Sequence, residues 1–264
     1  EPGDEILTFA PFFPEYHPYV DLTGAVLKVV PPNLENFQIN FEAFEEMLTE
    51  KVKAVLINTP NNPSGVVYST PTLQRLADIL REKSKEYGHI IYLISDEPYR
   101  EIVFEGTDSP FISSFYDNSI CCYSFSKSLS LPGERIGYVV VPDEVENADQ
   151  VIDGIVVSNR TLGFVNAPSL LQKAVAKCLD EKTNLAFYDE NRKMLYEGLQ
   201  KLGFHCIKPE GAFYMWVKSP DADEEKFVAA GKKYNIIMVK GSAFGCAGYV
   251  RLAYCVSHET VKNA

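Results

Sequence analysis

Apolar residues in the first half of the chain fall into short runs separated by segments of helical spacing. Six runs predict strands: EILTFA (5–10), AVLKVV (25–30), VKAVLI (52–57), IIYLIS (90–95), SICCYS (119–124) and IGYVVV (136–141). Most are apolar throughout instead of alternating, the pattern of strands covered on both faces in a parallel sheet. Between them, FEAFEEMLTE (41–50) and PTLQRLADILREKSKEY (71–87) repeat apolar positions at helical intervals. Thr70 as N-cap, Pro71 at the first position and Gly88 beyond the end frame the second helix. Strand–helix alternation predicts an α/β fold, a mostly parallel sheet sandwiched by helices.

Past about residue 165 the pattern changes. APSLLQKAVAKCLD (167–180) and NLAFYDENRKMLYEGLQKLG (184–203) predict long helices, the second stopped at Gly203. Strands HCIKP and AFYMWVK, a helix from Asp221 to Tyr234, and strands IIMVK and YVRLAY complete a smaller C-terminal α+β unit. The expected domains are therefore 1–185 and 186–264, with the boundary inside the long helix.

Composition narrows the function classes. The 264 residues are 46% hydrophobic and 23% charged, and 36 acidic against 25 basic side chains leave a net charge of −11. Such a surface disfavours nucleic acid and anionic membranes as partners. No apolar stretch approaches the ~20 residues of a membrane span, and the N-terminus does not read as a signal peptide. The six cysteines form no C-x-x-C pair and sit mostly in apolar runs, predicting buried free thiols in a reducing, cytoplasmic setting. The four histidines have no metal-ligand spacing, so no metal is expected.

Ligands of open α/β sheets gather at the carboxyl ends of the strands, and three polar segments stand at such ends here. NTPNNPSG (58–65) reads as a tight turn or as a loop that aims the Asn62 amide at a ligand oxygen. In ISDEPYR (94–100), Asp96 follows an apolar strand, where an unpaired carboxylate is costly. It either caps a helix or pairs with a cation in a site, and Tyr99 stands three residues on. In YSFSKSLSLPGERIGY (123–138), Lys127 lies among serines with Arg135 eight residues later. This is either a surface loop with two positive charges or an amine that attacks carbonyls beside a phosphate site. In the second reading Ser124, Ser126 and Arg135 take the phosphate.

Together PNNPSG, SDEPY, SFSKSLSLPGERIGY, GAFYMW and YVRLAY, in that order and at these spacings, resemble the class I/II aminotransferases. These are fold type I enzymes that use pyridoxal 5′-phosphate, and the resemblance covers essentially the whole chain. It implies that Lys127 is the Schiff-base lysine and that Asp96 keeps the cofactor's ring nitrogen protonated. It implies that Asn62 and Tyr99 meet the phenolic oxygen, with Asn62 also near the substrate carboxylate. Ser124, Ser126 and Arg135 match phosphate ligands, and Phe13 in PFFPEY matches an aromatic residue stacked on the ring. Arg251 in YVRLAY matches the arginine that grips the substrate carboxylate. The implied activity moves an amino group from an L-amino acid to a 2-oxo acid, in a homodimer. Two other readings use the same residues, a C–S lyase and a non-catalytic cofactor-binding sensor domain. Arg160 lies near where some family members carry an arginine for an acidic side chain, or is an ordinary surface charge. The chain reads as truncated at its N-terminus and slightly at its C-terminus, without the family's helix-end phosphate cradle and an intersubunit tyrosine. On that reading these residues alone are a poor catalyst.

Overall fold

The computed structural model describes residues 1–264. In chain order its first part runs β1 (Glu5–Phe9), α1 (Tyr16–Asp21), β2 (Val26–Val30), α2 (Phe41–Met47), β3 (Val52–Asn58) and α3 (Thr70–Tyr87). It continues with β4 (Tyr92–Asp96), β5 (Ser119–Ser124), α4 (Phe125–Ser128) and β6 (Gly137–Val140). The six strands form one sheet in the order β2-β1-β3-β4-β5-β6. All neighbours are parallel except β5 and β6, which pair antiparallel with Tyr123 opposite Tyr138. Gly137 is needed where β6 joins β5, because a Cβ there would lie 2.3 Å from the Tyr123 carbonyl oxygen.

The apolar runs fill the main core. Leu7, Val30, Val55, Leu76, Leu80 and Leu93 are all at most 1% exposed, joining strand faces to the inner stripe of α3. That helix begins one residue earlier than predicted. Ser69, still extended, is the cap, and its hydroxyl accepts from the Thr72 N–H at 3.3 Å, with Thr70 already helical. Gly88 closes it in the left-handed conformation, as expected.

The second part comprises α5 (Ala148–Thr161), α6 (Ser169–Val175), α7 (Leu185–Lys201), β7 (Tyr214–Lys218), α8 (Glu224–Lys232), β8 (Val239–Lys240), β9 (Tyr249–Ala253) and α9 (His258–Asn263). The predicted helix over 167–180 is helical only at 169–175. Leu185, expected inside a helix, is its first residue, because the Asn184 side chain caps it by accepting from the Phe187 N–H. HCIKP supplies one bridge, Cys206 to Val217, instead of a strand, and IIMVK pairs only at 239–240. Asp223 caps α8, so this helix starts three residues after Asp221. The small sheet is antiparallel, in the order β7-β9-β8. Cys121 and Cys246 are buried, but Cys255 is exposed and the other three cysteines are half-buried, a correction to the expectation of uniformly buried thiols. No helix is long and apolar enough to cross a membrane.

The two sheets are tied together at several points, among them the Gly65 loop. Glu210 and Gly211 both donate backbone N–H groups to the Gly65 carbonyl at 2.9 Å. A Cβ on Gly65 would meet Pro209 at 2.6 Å, and one on Gly211 would meet Pro60 at 2.7 Å. Phe37 and Val66 from the first part bury Trp216 and Phe244 from the second. This contact sets β7 and β9 over the carboxyl ends of β3, β4 and β5.

Candidate active site

Three strand ends converge. At the end of β3, Asn58 is 4% exposed and holds two segments at once. Its amide donates to the Asp96 carbonyl at 2.7 Å, and its oxygen accepts the Asn62 N–H at 2.7 Å. Asn61 braces the same turn, its oxygen accepting from the Ser64 N–H and hydroxyl. Asn62 is thereby presented at a fixed place, and its Oδ1 accepts from the Arg251 guanidinium at 2.8 Å. The turn reading of NTPNNPSG is realised, and the turn presents the Asn62 amide to Arg251.

Asp96 is the last residue of β4, and no helix starts there for it to cap. Its Oδ2 accepts from the Tyr16 hydroxyl at 2.7 Å. Burial pushes the Asp96 carboxyl up to about 6, the Tyr16 bond opposes this, and the neighbouring Glu97 charge adds to the rise. Tyr16 in turn is held far from ionisation, first by burial and then by the Asp96 charge. Phe13 is half-buried and packs edge-on against the Tyr16 ring at 5.7 Å, so it supports the residue that holds Asp96.

Tyr99 is 3% exposed, and its hydroxyl meets the Tyr214 hydroxyl at 2.9 Å. Burial is the main reason that both phenols resist ionisation. Lys127, on the one-turn helix α4, sets its ammonium 5.9 Å from the Tyr99 ring centre and 5.7 Å from that of Phe213. The Arg251 guanidinium lies between two more rings, 4.4 Å from Tyr214 and 4.9 Å from Phe244. Its Nε is buried without a hydrogen-bond partner.

The residues expected to take a phosphate are only partly assembled. The Ser124 hydroxyl donates to that of Ser126 at 2.8 Å, and Ser124 also caps α4. Arg135 corrects the expectation that it sits with these serines. It is exposed, in the left-handed conformation at φ 50°, and its guanidinium donates to the Pro132 carbonyl at 2.7 Å. The short turn at Pro132–Glu134 offers that carbonyl within the arginine's own loop. Arg160 is exposed on α5 and forms no ion pair. Sequence reasoning passed over Asn58, Tyr16, Phe213 and Tyr214. Two of these, Phe213 and Tyr214, lie inside GAFYMW, and Tyr16 lies inside PFFPEY. Only their contacts separate them from ordinary core aromatics.

The comparisons with known proteins agree with this architecture. The family model for aminotransferase class I and II matches residues 1–264. An aspartate aminotransferase of Thermotoga maritima is 34% identical over 269 residues, covering 100% of this chain and 68% of that protein. A probable aspartate/prephenate aminotransferase of Aquifex aeolicus is 35% identical over 275 residues, covering 97% and 67%. An amino transferase structure from Eubacterium rectale superposes with a TM-score of 0.97 at 49% identity, covering 100% of this chain and 66% of that one. The chain belongs to the class I and II aminotransferases, with their fold type I architecture and dependence on pyridoxal 5′-phosphate. It spans about two thirds of the length of these relatives.

Proposed function

We propose that this chain carries the reaction centre of an aminotransferase that passes an amino group from an L-amino acid to a 2-oxo acid. The observation that carries the reading is the convergence of Lys127, Asp96, Tyr99, Asn62 and Arg251. They come from four separate stretches of chain and meet around the ends of β3, β4 and β5. The donor set fits pyridoxal 5′-phosphate. Asp96 is a carboxylate with one neutral phenol as partner, suited to a ring N–H⁺. Lys127 offers an amine among aromatic faces, and Ser124 and Ser126 offer hydroxyls for the phosphate. When bound, the cofactor supplies the electron sink for the carbanion chemistry.

The remaining work belongs to the protein. Arg251, with Asn62 beside it, binds the substrate carboxylate as a planar fork, and the two rings that flank its guanidinium fix its direction. Lys127 Nζ would hold the cofactor at its carbonyl carbon and, once displaced there by the substrate amine, would be free to take and return the proton at the substrate Cα. Tyr99 would donate to the cofactor's phenolic oxygen, and Phe13 would cover its ring. The reading divides the chain at 185–186 into a cofactor-binding unit and a smaller unit that brings Arg251. It includes a cytoplasmic homodimer, supported by α5, where Ile152, Val156 and Val157 are 43–62% exposed.

Borohydride reduction of the cofactor-loaded protein followed by peptide mapping tests the assignment. The pyridoxyl group is expected on Lys127, and a label on another lysine overturns it. A donor panel then includes aspartate and aromatic amino acids, the substrates in the relatives' names. Release of a 2-oxo acid without added acceptor, in one equivalent, separates amino transfer from C–S bond cleavage.

A further inference from the structure

Tyr214 holds two of the proposed functional groups at once, and no step above uses its hydroxyl. It stands at the first position of β7, 7% exposed, opposite Ala253 in the register that also sets Trp216 opposite Arg251. Its hydroxyl is 2.9 Å from that of Tyr99. Its ring lies under the Arg251 guanidinium at 4.4 Å, and that guanidinium reaches Asn62 at 2.8 Å. The four side chains form one continuous line, Tyr99–Tyr214–Arg251–Asn62, across the contact between the two sheets.

We infer that Tyr214 is a positioning residue that couples the phenol donor Tyr99 to the carboxylate-binding Arg251, resting on the site reading proposed above. The hydroxyl part follows from counting protons. A phenol has one O–H and spare lone pairs. If Tyr99 turns its only proton toward a ligand oxygen, the bond to Tyr214 persists only with Tyr214 as donor. That donation polarises the Tyr99 O–H and strengthens it as a donor, by about 10–30% of its bond. The ring part follows from charge. Arg251 Nε is buried without a partner, so the cation leans on the Tyr214 and Phe244 faces and on Asn62. Removing one face frees the fork to rotate away from the direction in which a carboxylate is received.

Two substitutions separate these parts. Tyr214→Phe keeps the ring and deletes the hydroxyl, and Tyr214→Leu deletes both. The first readout is the pH midpoint of the visible chromophore in the cofactor-loaded protein, with Tyr99→Phe as the reference. The second is calorimetric binding of maleate and hydrocinnamate, two carboxylates without an amino group. Tyr214→Phe is expected to move the midpoint in the same direction as Tyr99→Phe, by roughly a tenth to a third as much. It should bind both carboxylates within about twofold of the parent chain. Tyr214→Leu is expected to weaken both on the order of tenfold. Should Tyr214→Leu fail to fold, Tyr214→Met takes its place.

A Tyr214→Phe midpoint equal to the parent's, while Tyr99→Phe shifts, overturns the hydroxyl coupling. Parent-like carboxylate affinity in the Leu or Met variant overturns the ring's part. A parent protein that itself gives no chromophore and no carboxylate binding overturns the site reading and this inference with it. Failure confined to the variants leaves the site reading intact.

Discussion

Asp96→Asn gives the sharpest test because its two consequences run in opposite directions. The Asp96 carboxyl is pushed up to about 6 by burial, whereas an aspartate in the unfolded chain titrates near 3.9. The native state therefore holds this proton more tightly, and stability falls as pH rises through the interval from about 4 to 6. At about 1.4 kcal/mol per pH unit, ionised Asp96 costs the cofactor-stripped chain roughly 3 kcal/mol at pH 7.5. Asparagine carries no charge, and its oxygen can still accept the Tyr16 hydroxyl. Its buried NH₂ group returns part of the gain. Urea unfolding of the stripped chain should show Asp96→Asn more stable by about 1–3 kcal/mol at pH 7.5. The difference should shrink as pH falls through 6 and vanish below about 4. Loaded with cofactor, the same variant should lose at least a hundredfold in turnover, about 2.7 kcal/mol of barrier, because an amide cannot hold the ring proton. A stability difference that is absent, or constant with pH, would refute the argument that a buried carboxylate waits for a cation here.

Arg251→Lys should raise the Michaelis constant at least tenfold across several donors, since a point ammonium cannot form the fork or bridge the Tyr214 and Phe244 faces. An unchanged constant removes Arg251 from the site. Gly65→Ala should destabilise the chain by more than about 1 kcal/mol and loosen the Asn62 loop, because its φ is +72° and a Cβ would strike Pro209. Thermal melting checks the first effect and carboxylate binding the second. Ser69→Ala should cost about 1 kcal/mol through loss of the α3 cap, while Thr70→Ala should cost less, read by urea midpoints.

The sequence alone determined the layers of the fold and most of the chemistry. Continuous apolar runs predict strands covered on both faces; β1 to β5 do pair in parallel, and β1 and β3 are the ones buried almost throughout, while β2 at the sheet edge alternates. Residues at their ends, Asn62, Asp96 and Ser124, can be found by position because an α/β sheet collects ligands there. Lys127 and Arg251 needed the ordered set of motifs, since one lysine among serines or one arginine on a strand is commonplace. Helix ends were legible to within a residue or two at α3, where Ser69, not Thr70, supplies the cap.

Only tertiary structure decided which groups touch. Periodicity marks Tyr16, Phe213 and Tyr214 as apolar positions, and nothing local says that two of their hydroxyls reach Asp96 and Tyr99. Those bonds join residues 80 and 115 positions apart; the first comes from packing α1 on the large sheet and the second from setting the small sheet over it. The same holds for Arg251 and Asn62, 189 positions apart. Arg135 shows the converse. Its sequence position matches a phosphate ligand, yet a carbonyl three residues away in its own loop takes the guanidinium, a choice between two nearby acceptors that spacing cannot express.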